Sequence, residues 1–155
     1  DIYRVLDKLT MNNIQNWYMK TETIILSIHP RHIEKILSGE KLYEYRKRIP
    51  MNIRYIVVYA TTPIKMIVAV IEVESIIKGT PDVIWNKTKK HAGISKDFFI
   101  NYFTNHQDSY AIKFKTVLRL KTPKSLMCLG NNICAPQSYT YLKEPYEELF
   151  DKFDL

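Results

Sequence analysis

The sequence predicts a mixed α+β domain in which short helices pack around a small barrel-like β-sheet. Three observations carry this. The 155 residues, 46% of them hydrophobic, suffice for one core and leave little room for a second. Runs rich in β-branched and aromatic residues are separated by Gly, Pro and Asn, which is strand punctuation. Helix-patterned segments fall between the first two strands and again before the last long one, the order of an α+β fold.

Residues 1–22 are weakly patterned and read as an N-terminal extension. Ile2, Leu6 and Leu9 would line one face of a short helix, and Asn12-Asn13 would break it. A single domain is expected over residues 23–155. It opens on a β-rich run at 23–28 and a short helix at 30–38. There Pro30 suits the first turn, Ile33, Ile36 and Leu37 form the apolar stripe, and Gly39 suits a left-handed stop. Strands follow at 42–49, 55–59 and 67–77, with the turn Thr61-Thr62-Pro63 before the last of them. Thr80-Pro81-Asp82 starts a helix carrying Ile84, Trp85 and Thr88 toward His91; Gly93 ends it and Ser95 caps the next. Phe98, Phe99, Tyr102 and Phe103 are expected in the core.

The stretch 110–120 alternates most cleanly. Tyr110, Ile112, Phe114, Leu118 and Leu120 would share one face, and Lys113, Lys115 and Arg119 the other. Residues 121–137 read as a long loop and 138–142 as a short strand. The chain then closes with an amphipathic helix at 145–153, with Tyr146, Leu149, Phe150 and Phe153 inward and Glu147 and Glu148 near its positive end.

Composition excludes several classes. No apolar run reaches the ~18 residues needed to cross a bilayer. No charged-then-apolar segment at the N-terminus reads as a secretion signal; the chain begins at Asp1, so residues upstream remain open. Two cysteines, Cys128 and Cys134, make no disulfide framework, and a reduced cytoplasmic setting is expected. Net charge is +7, unevenly spread. Residues 31–54 hold seven Lys/Arg against three Glu, residues 109–135 hold five Lys/Arg and no acid, and the last twenty residues hold two Lys against five acids. A basic half beside an acidic tail attracts a polyanion.

The chemistry concentrates after Gly39. Alternation puts Leu42, Glu44, Arg46 and Arg48 on one face and Tyr43, Tyr45 and Lys47 on the other, with Lys41 at the turn. Two cations flanking a carboxylate suit a nucleotide. Lys41 and Arg46 would meet phosphate or an electron-rich base edge, Glu44 would accept from an exocyclic amine, and a tyrosine would offer a stacking face. The plain alternative is an Arg–Glu ion pair on a sheet wall with Lys41 in solvent.

Gly39, Lys41, Glu44 and Arg46 spell G-x-K-x-x-E-x-R, and with this signature the chain resembles the ASCH family, relatives of the PUA fold. Its neighbours agree: an Ile-Leu-Ser-Ile run before Pro30, Tyr59-Ala60-Thr61-Thr62-Pro63 before Ile67-Val68, and Pro136-Gln137-Ser138-Tyr139. Ala69 departs from a glycine common in the family. The resemblance implies a PUA-like small mixed β-barrel flanked by helices, a cleft lined by the signature, and RNA or a modified nucleotide as partner. Expected nucleic-acid contacts are Lys41, Glu44, Arg46 and Arg48, with Lys113, Lys115, Arg119 and Ser138 extending them.

Catalysis stays open, with Lys41, Glu44 and Tyr45 as candidates. Some family members are described as ribonucleases, a role that would use Lys41 and Arg46 against phosphorane charge and Glu44 or Tyr45 to move protons. Others hydrolyse N4-acetylcytidine with a Lys, a Thr three residues on, and a distant Glu. Here Glu44 stands at the Thr position; Glu72 or Glu74 would be the acid, and Thr61, Thr62 or Ser138 a substitute hydroxyl. ASCH segments in transcriptional coactivators add a protein-interaction reading. No metal or cofactor is expected: His29 and His32 flank Pro30, and Cys128 and Cys134 lack a partner pair.

Overall fold

Isoleucine and valine runs set the frame. In the computed structural model, which describes residues 21–143 and 146–155, strand β1 (Glu22–Ile28) is buried along nearly its whole length. The short helix expected from Ile2, Leu6 and Leu9 lies outside the described residues. The first helix, α1 (Pro30–Ser38), ends where Gly39 adopts φ 83° and its N–H bonds the Ile36 carbonyl, the left-handed stop the sequence predicts. Next come β2 (Tyr43–Arg46), β3 (Ile53–Ala60), β4 (Met66–Gly79) and α2 (Pro81–Thr88). A single 3-10 turn, Lys89–His91, leads to α3 (Lys96–Tyr102), where Ser95 Oγ accepts from the Phe98 N–H at 3.1 Å. The chain ends with β5 (Ser109–Lys124), β6 (Tyr139–Leu142) and α4 (Tyr146–Phe153).

The strands form one sheet in the order β2-β5-β4-β3-β1-β6, with β1 parallel to β3 and the other pairs antiparallel. Central β1 and β3 are packed on both faces, which is why they read as unbroken apolar runs. Ile24, Leu26 and Ile28 join Ile33 and Ile36 of α1 in one core layer; Ile25 and Val57 point the other way, toward Leu149 and Phe153 of α4. A third cluster, Tyr45, Ile84, Phe99 and Phe103, sits where α2 and α3 cover the β2–β5 end.

The expected barrel does not close. The edge strands β2 and β6 are four residues each and share no ladder. Side chains bridge the seam instead: the Arg46 guanidinium donates to the Ser27 carbonyl at 2.7 Å and to the Ser138 hydroxyl at 3.4 Å.

Three further expectations are corrected. Leu118 is 40% exposed and does not share the face of Ile112 and Phe114. The β4–β5 register slips, with Lys115 extra on β5 and Glu74 extra on β4. Each one-residue bulge flips the side chains beyond it, so Val117 continues the face of Phe114 while Leu120 enters the opposite core. For the same reason Lys113 and Arg119 stand on opposite faces. The loop at 121–137 is partly ordered, because β5 continues to Lys124 and a 3-10 turn at Leu126–Leu129 buries Leu126 and Leu129. Finally, Phe98 is not core. Phe99 and Phe103, one helical turn apart, occupy the inward face, and Phe98 is rotated off it with 36% of its surface exposed.

The loop after α2 fixes the position of Lys41. The Leu42 N–H bonds the His91 carbonyl and the Lys41 N–H bonds the Lys35 carbonyl, both at 3.0 Å. Gly93 has φ 67°, and a Cβ there would lie 2.5 Å from Lys41 Cβ and 2.6 Å from Lys41 Cγ. Gly93→Ala is therefore expected to combine left-handed strain with a steric clash and to destabilise by about 3 kcal/mol. Gly39→Ala, which meets nothing within 4 Å, should lose about 1 kcal/mol. Urea denaturation of both variants checks this; equal losses would remove the close approach as the reason for Gly93.

Candidate functional site

Lys41, Glu44 and Arg46 meet at one cavity. Its volume is about 200 Å³, and they form one wall with Tyr45. His29 and His32, at the start of α1, and Phe98 and Tyr102 of α3 line the rest, with Ile28 and Ile94.

The first of these, Lys41, is only 1% exposed, so the solvated-lysine alternative does not hold. Its ammonium donates to the Ala92 carbonyl at 2.8 Å and lies 4.9 Å from the centre of the Tyr45 ring. Among the described residues that carbonyl is its sole hydrogen-bond acceptor, and no carboxylate comes within 4.0 Å of it. Burial pulls the Lys41 pKa below its ordinary value, while the nearby negative charge of Glu44 works against that shift.

Glu44 is 6% exposed. One carboxylate oxygen accepts from the Tyr45 N–H at 3.0 Å, and the other is 3.7 Å from the Arg46 guanidinium. So the carboxylate keeps acceptor capacity inside the cavity.

The two histidines differ in what holds them. His29 Nδ1 accepts from the Arg31 N–H at 3.2 Å and caps α1. The His32 pKa is lowered to about 4, chiefly by burial, against an opposing pull from Glu44. Its ring meets Phe98 edge-on with centroids 5.5 Å apart, and the Arg31 guanidinium lies 5.0 Å over the Phe98 ring. The Lys47 ammonium sits 4.7 Å from the Tyr102 ring centre.

Tyr45 presents its ring but not a free hydroxyl. Thr88 donates its one proton to the Ile84 carbonyl at 2.7 Å, so in the 2.7 Å contact between Tyr45 and Thr88 the tyrosine is the donor. Burial pushes the Tyr45 pKa up to about 12. Such a group is a poor proton carrier near neutrality.

The remaining sequence-derived residues stand apart from the cavity lining. Arg48 and Arg119 are exposed. Lys113 pairs with Glu74 at 2.9 Å, which raises its pKa, and Lys115 pairs with Glu72 at 3.4 Å. Ser138 touches the site only through Arg46. Thr61 and Thr62 lie in the turn after β3, outside the lining. Among the described residues no group of three or more His, Cys, Asp or Glu is placed to hold a metal, and neither Cys128 nor Cys134 is in a disulfide.

Sequence reasoning missed His29, His32, Phe98 and Tyr102 as cavity residues. A signal existed in the aromatics. Phe98/Tyr102 and Phe99/Phe103 are two i,i+4 pairs on adjacent helix faces, and a seven-residue helix on a sheet cannot bury both fully.

No family model matches the chain. Over 124 residues it is 27% identical to the ASCH domain-containing ribonuclease of Zymomonas mobilis, spanning 77% of this chain and 84% of that one. It is also 30% identical over 125 residues to the large ribosomal subunit protein uL22 of Ureaplasma parvum, where the match spans only 40% of the relative's length. The crystal structure of ASCH from Zymomonas mobilis superposes with a TM-score of 0.74 at 26% identity, covering 84% of this chain and 92% of that chain. A tyrosine-to-phenylalanine variant of ZmASCH gives 0.76 at 25% identity, covering 86% and 98%. Taken with the signature residues at one cavity, these likenesses make the chain an ASCH domain protein.

Proposed function

We propose that this domain binds RNA by taking one unstacked nucleotide into the cavity between β2, α1 and α3. The observation that carries this is the convergence of three charged side chains, Lys41, Glu44 and Arg46, with the exposed aromatic Phe98 on one cavity. Charged groups of both signs suit a base edge, and an aromatic wall suits a base face. Phosphates along the strand would meet exposed cations such as Arg31 and Arg48. The ribonuclease name of the Zymomonas mobilis relative supports an RNA partner at family level.

A second reading is cleavage. His32, neutral near pH 7, is available to take a proton from a ribose 2′-hydroxyl. The amidohydrolase branch gains no support, since among the described residues no Ser or Thr lines the cavity and Glu72 and Glu74 are engaged with lysines on the β4–β5 ladder.

Labelled RNAs, resolved for both mobility shift and fragments with and without chelator, separate these readings; N4-acetylcytidine serves as a parallel substrate. Binding alone predicts a shift that weakens with salt and no product. Lys41→Met should lower RNA affinity by about tenfold while changing stability by no more than about 1 kcal/mol, because the relief of a buried charge is offset by leaving the Ala92 carbonyl without its donor. Unchanged affinity in the folded variant would count against the cavity.

The low His32 pKa also fixes a pH dependence. The unfolded chain takes up its proton near 6.5 and the folded one near 4, so protons favour unfolding between these values. Stability should therefore fall as pH drops through that window, and His32 should add nothing further below it. His32→Gln should flatten this slope in urea titrations, and an NMR titration of His32 should give its midpoint near 4.

A further inference from the structure

Two buried charges of opposite hydrogen-bonding character line the cavity without satisfying one another. Lys41, 1% exposed, can only donate, and Glu44, 6% exposed, can only accept. They are coupled through space, yet among the described residues no carboxylate lies within 4.0 Å of the ammonium. Buried polar groups left short of partners are unfavourable, so the gap suits a ligand that offers an acceptor beside donors.

A phosphate does not fit this description, since it would lie against the buried Glu44 carboxylate. A base edge does. At about 200 Å³ the cavity falls below the roughly 300–1,000 Å³ of drug-sized sites and suits one planar ring system. Phe98, on the α3 wall, supplies an aromatic face with 36% of its surface open. The four RNA bases differ along their pairing edges. Adenine offers donor then acceptor, cytosine one donor and two acceptors, and uracil a donor between two acceptors. Guanine alone offers a carbonyl oxygen followed by two adjacent N–H donors. A carboxylate accepts that N–H pair with both oxygens, as in other bidentate pairings, and an ammonium suits the carbonyl.

Resting on the RNA-binding reading above, we infer that the cavity selects guanine: Glu44 accepts the guanine N1–H and 2-amino group, and Lys41 donates to O6. The base is stacked on Phe98, and Arg46 orients Glu44 from 3.7 Å.

The test is fluorescence anisotropy with labelled oligouridine octamers holding one central G, inosine, A, C or U. Their 2′-fluoro sugars block any cleavage through the 2′-hydroxyl. The G oligomer should bind about tenfold more tightly than the U oligomer, as expected for one good bidentate base contact. Inosine, which lacks only the 2-amino group, should lose most of that advantage. Glu44→Gln, checked for folding by circular dichroism, should erase the G preference, and Phe98→Ala should weaken every oligomer by about tenfold without changing their order. Equal affinity for G and U, or for G and inosine, would overturn guanine selection while leaving RNA binding intact. The inosine comparison needs no variant, so misfolding of Glu44→Gln does not blunt it. Binding of none of the oligomers would instead overturn RNA binding itself.

Discussion

The buried ammonium of Lys41 is the constraint around which this end of the molecule is built. A lysine with almost no exposed surface needs an acceptor, and the nearest is the Ala92 carbonyl at 2.8 Å. That contact requires the loop after α2 to run directly over the lysine stem, which only a residue without a Cβ allows at position 93. Lys35 strengthens the same clasp by donating to the Gly93 carbonyl at 3.1 Å. Once the loop is held there, Ser95 starts α3, and α3 brings Phe98 and Tyr102 to the cavity. One unfavourable burial thus organises the loop, a helix and the wall opposite β2.

The same geometry separates Tyr45 from its charged neighbours. It stands between Glu44 and Arg46 in sequence, yet its hydroxyl belongs to Thr88 and its ring to Phe99, 5.0 Å away. Its place between Lys41 and the aromatic cluster makes it a floor for the ammonium rather than a reagent. The tyrosine's contribution is positional, through the face of its ring.

Much of this was legible in the sequence, for physical reasons that differ by element. The helix over 30–38 was plain because proline, an apolar stripe and a glycine stop all agree there. β1 and β3 were plain because doubly buried strands need continuous apolar runs. Lys41, Glu44 and Arg46 were legible through their spacing in the signature. What escaped was set by long-range geometry. The bulge at Lys115 leaves no mark in the alternation of residues 110–120, yet it sends Lys113 and Arg119 to different faces. Phe98 lies beside Phe99 and Phe103, which do bury; the two i,i+4 pairs show that one face must stay open, but nothing local says which. The open sheet escaped because closure depends on whether two four-residue edges meet.

That last point changes how the signature itself should be read. Arg46 spans the seam between β2 and the β1–β6 end, donating to the Ser27 carbonyl while a second nitrogen reaches Ser138. Ser27 in turn donates its hydroxyl to the Pro136 carbonyl at 2.6 Å and its N–H to the Ser138 carbonyl at 2.9 Å, so the same residue anchors the loop entering β6. An arginine with this many structural partners would hold the sheet's two edges together even in a protein that bound nothing. Its guanidinium is nonetheless 3.7 Å from Glu44 and lines the cavity. Sheet geometry and site electrostatics therefore share one side chain, and a ligand that draws on Arg46 also bears on the contacts across the seam. Glu44 is the more separable reporter of recognition. Among the described residues its carboxylate oxygens hold only the adjacent backbone N–H and a loose arginine contact, whereas Arg46 cannot be changed without disturbing the fold around it.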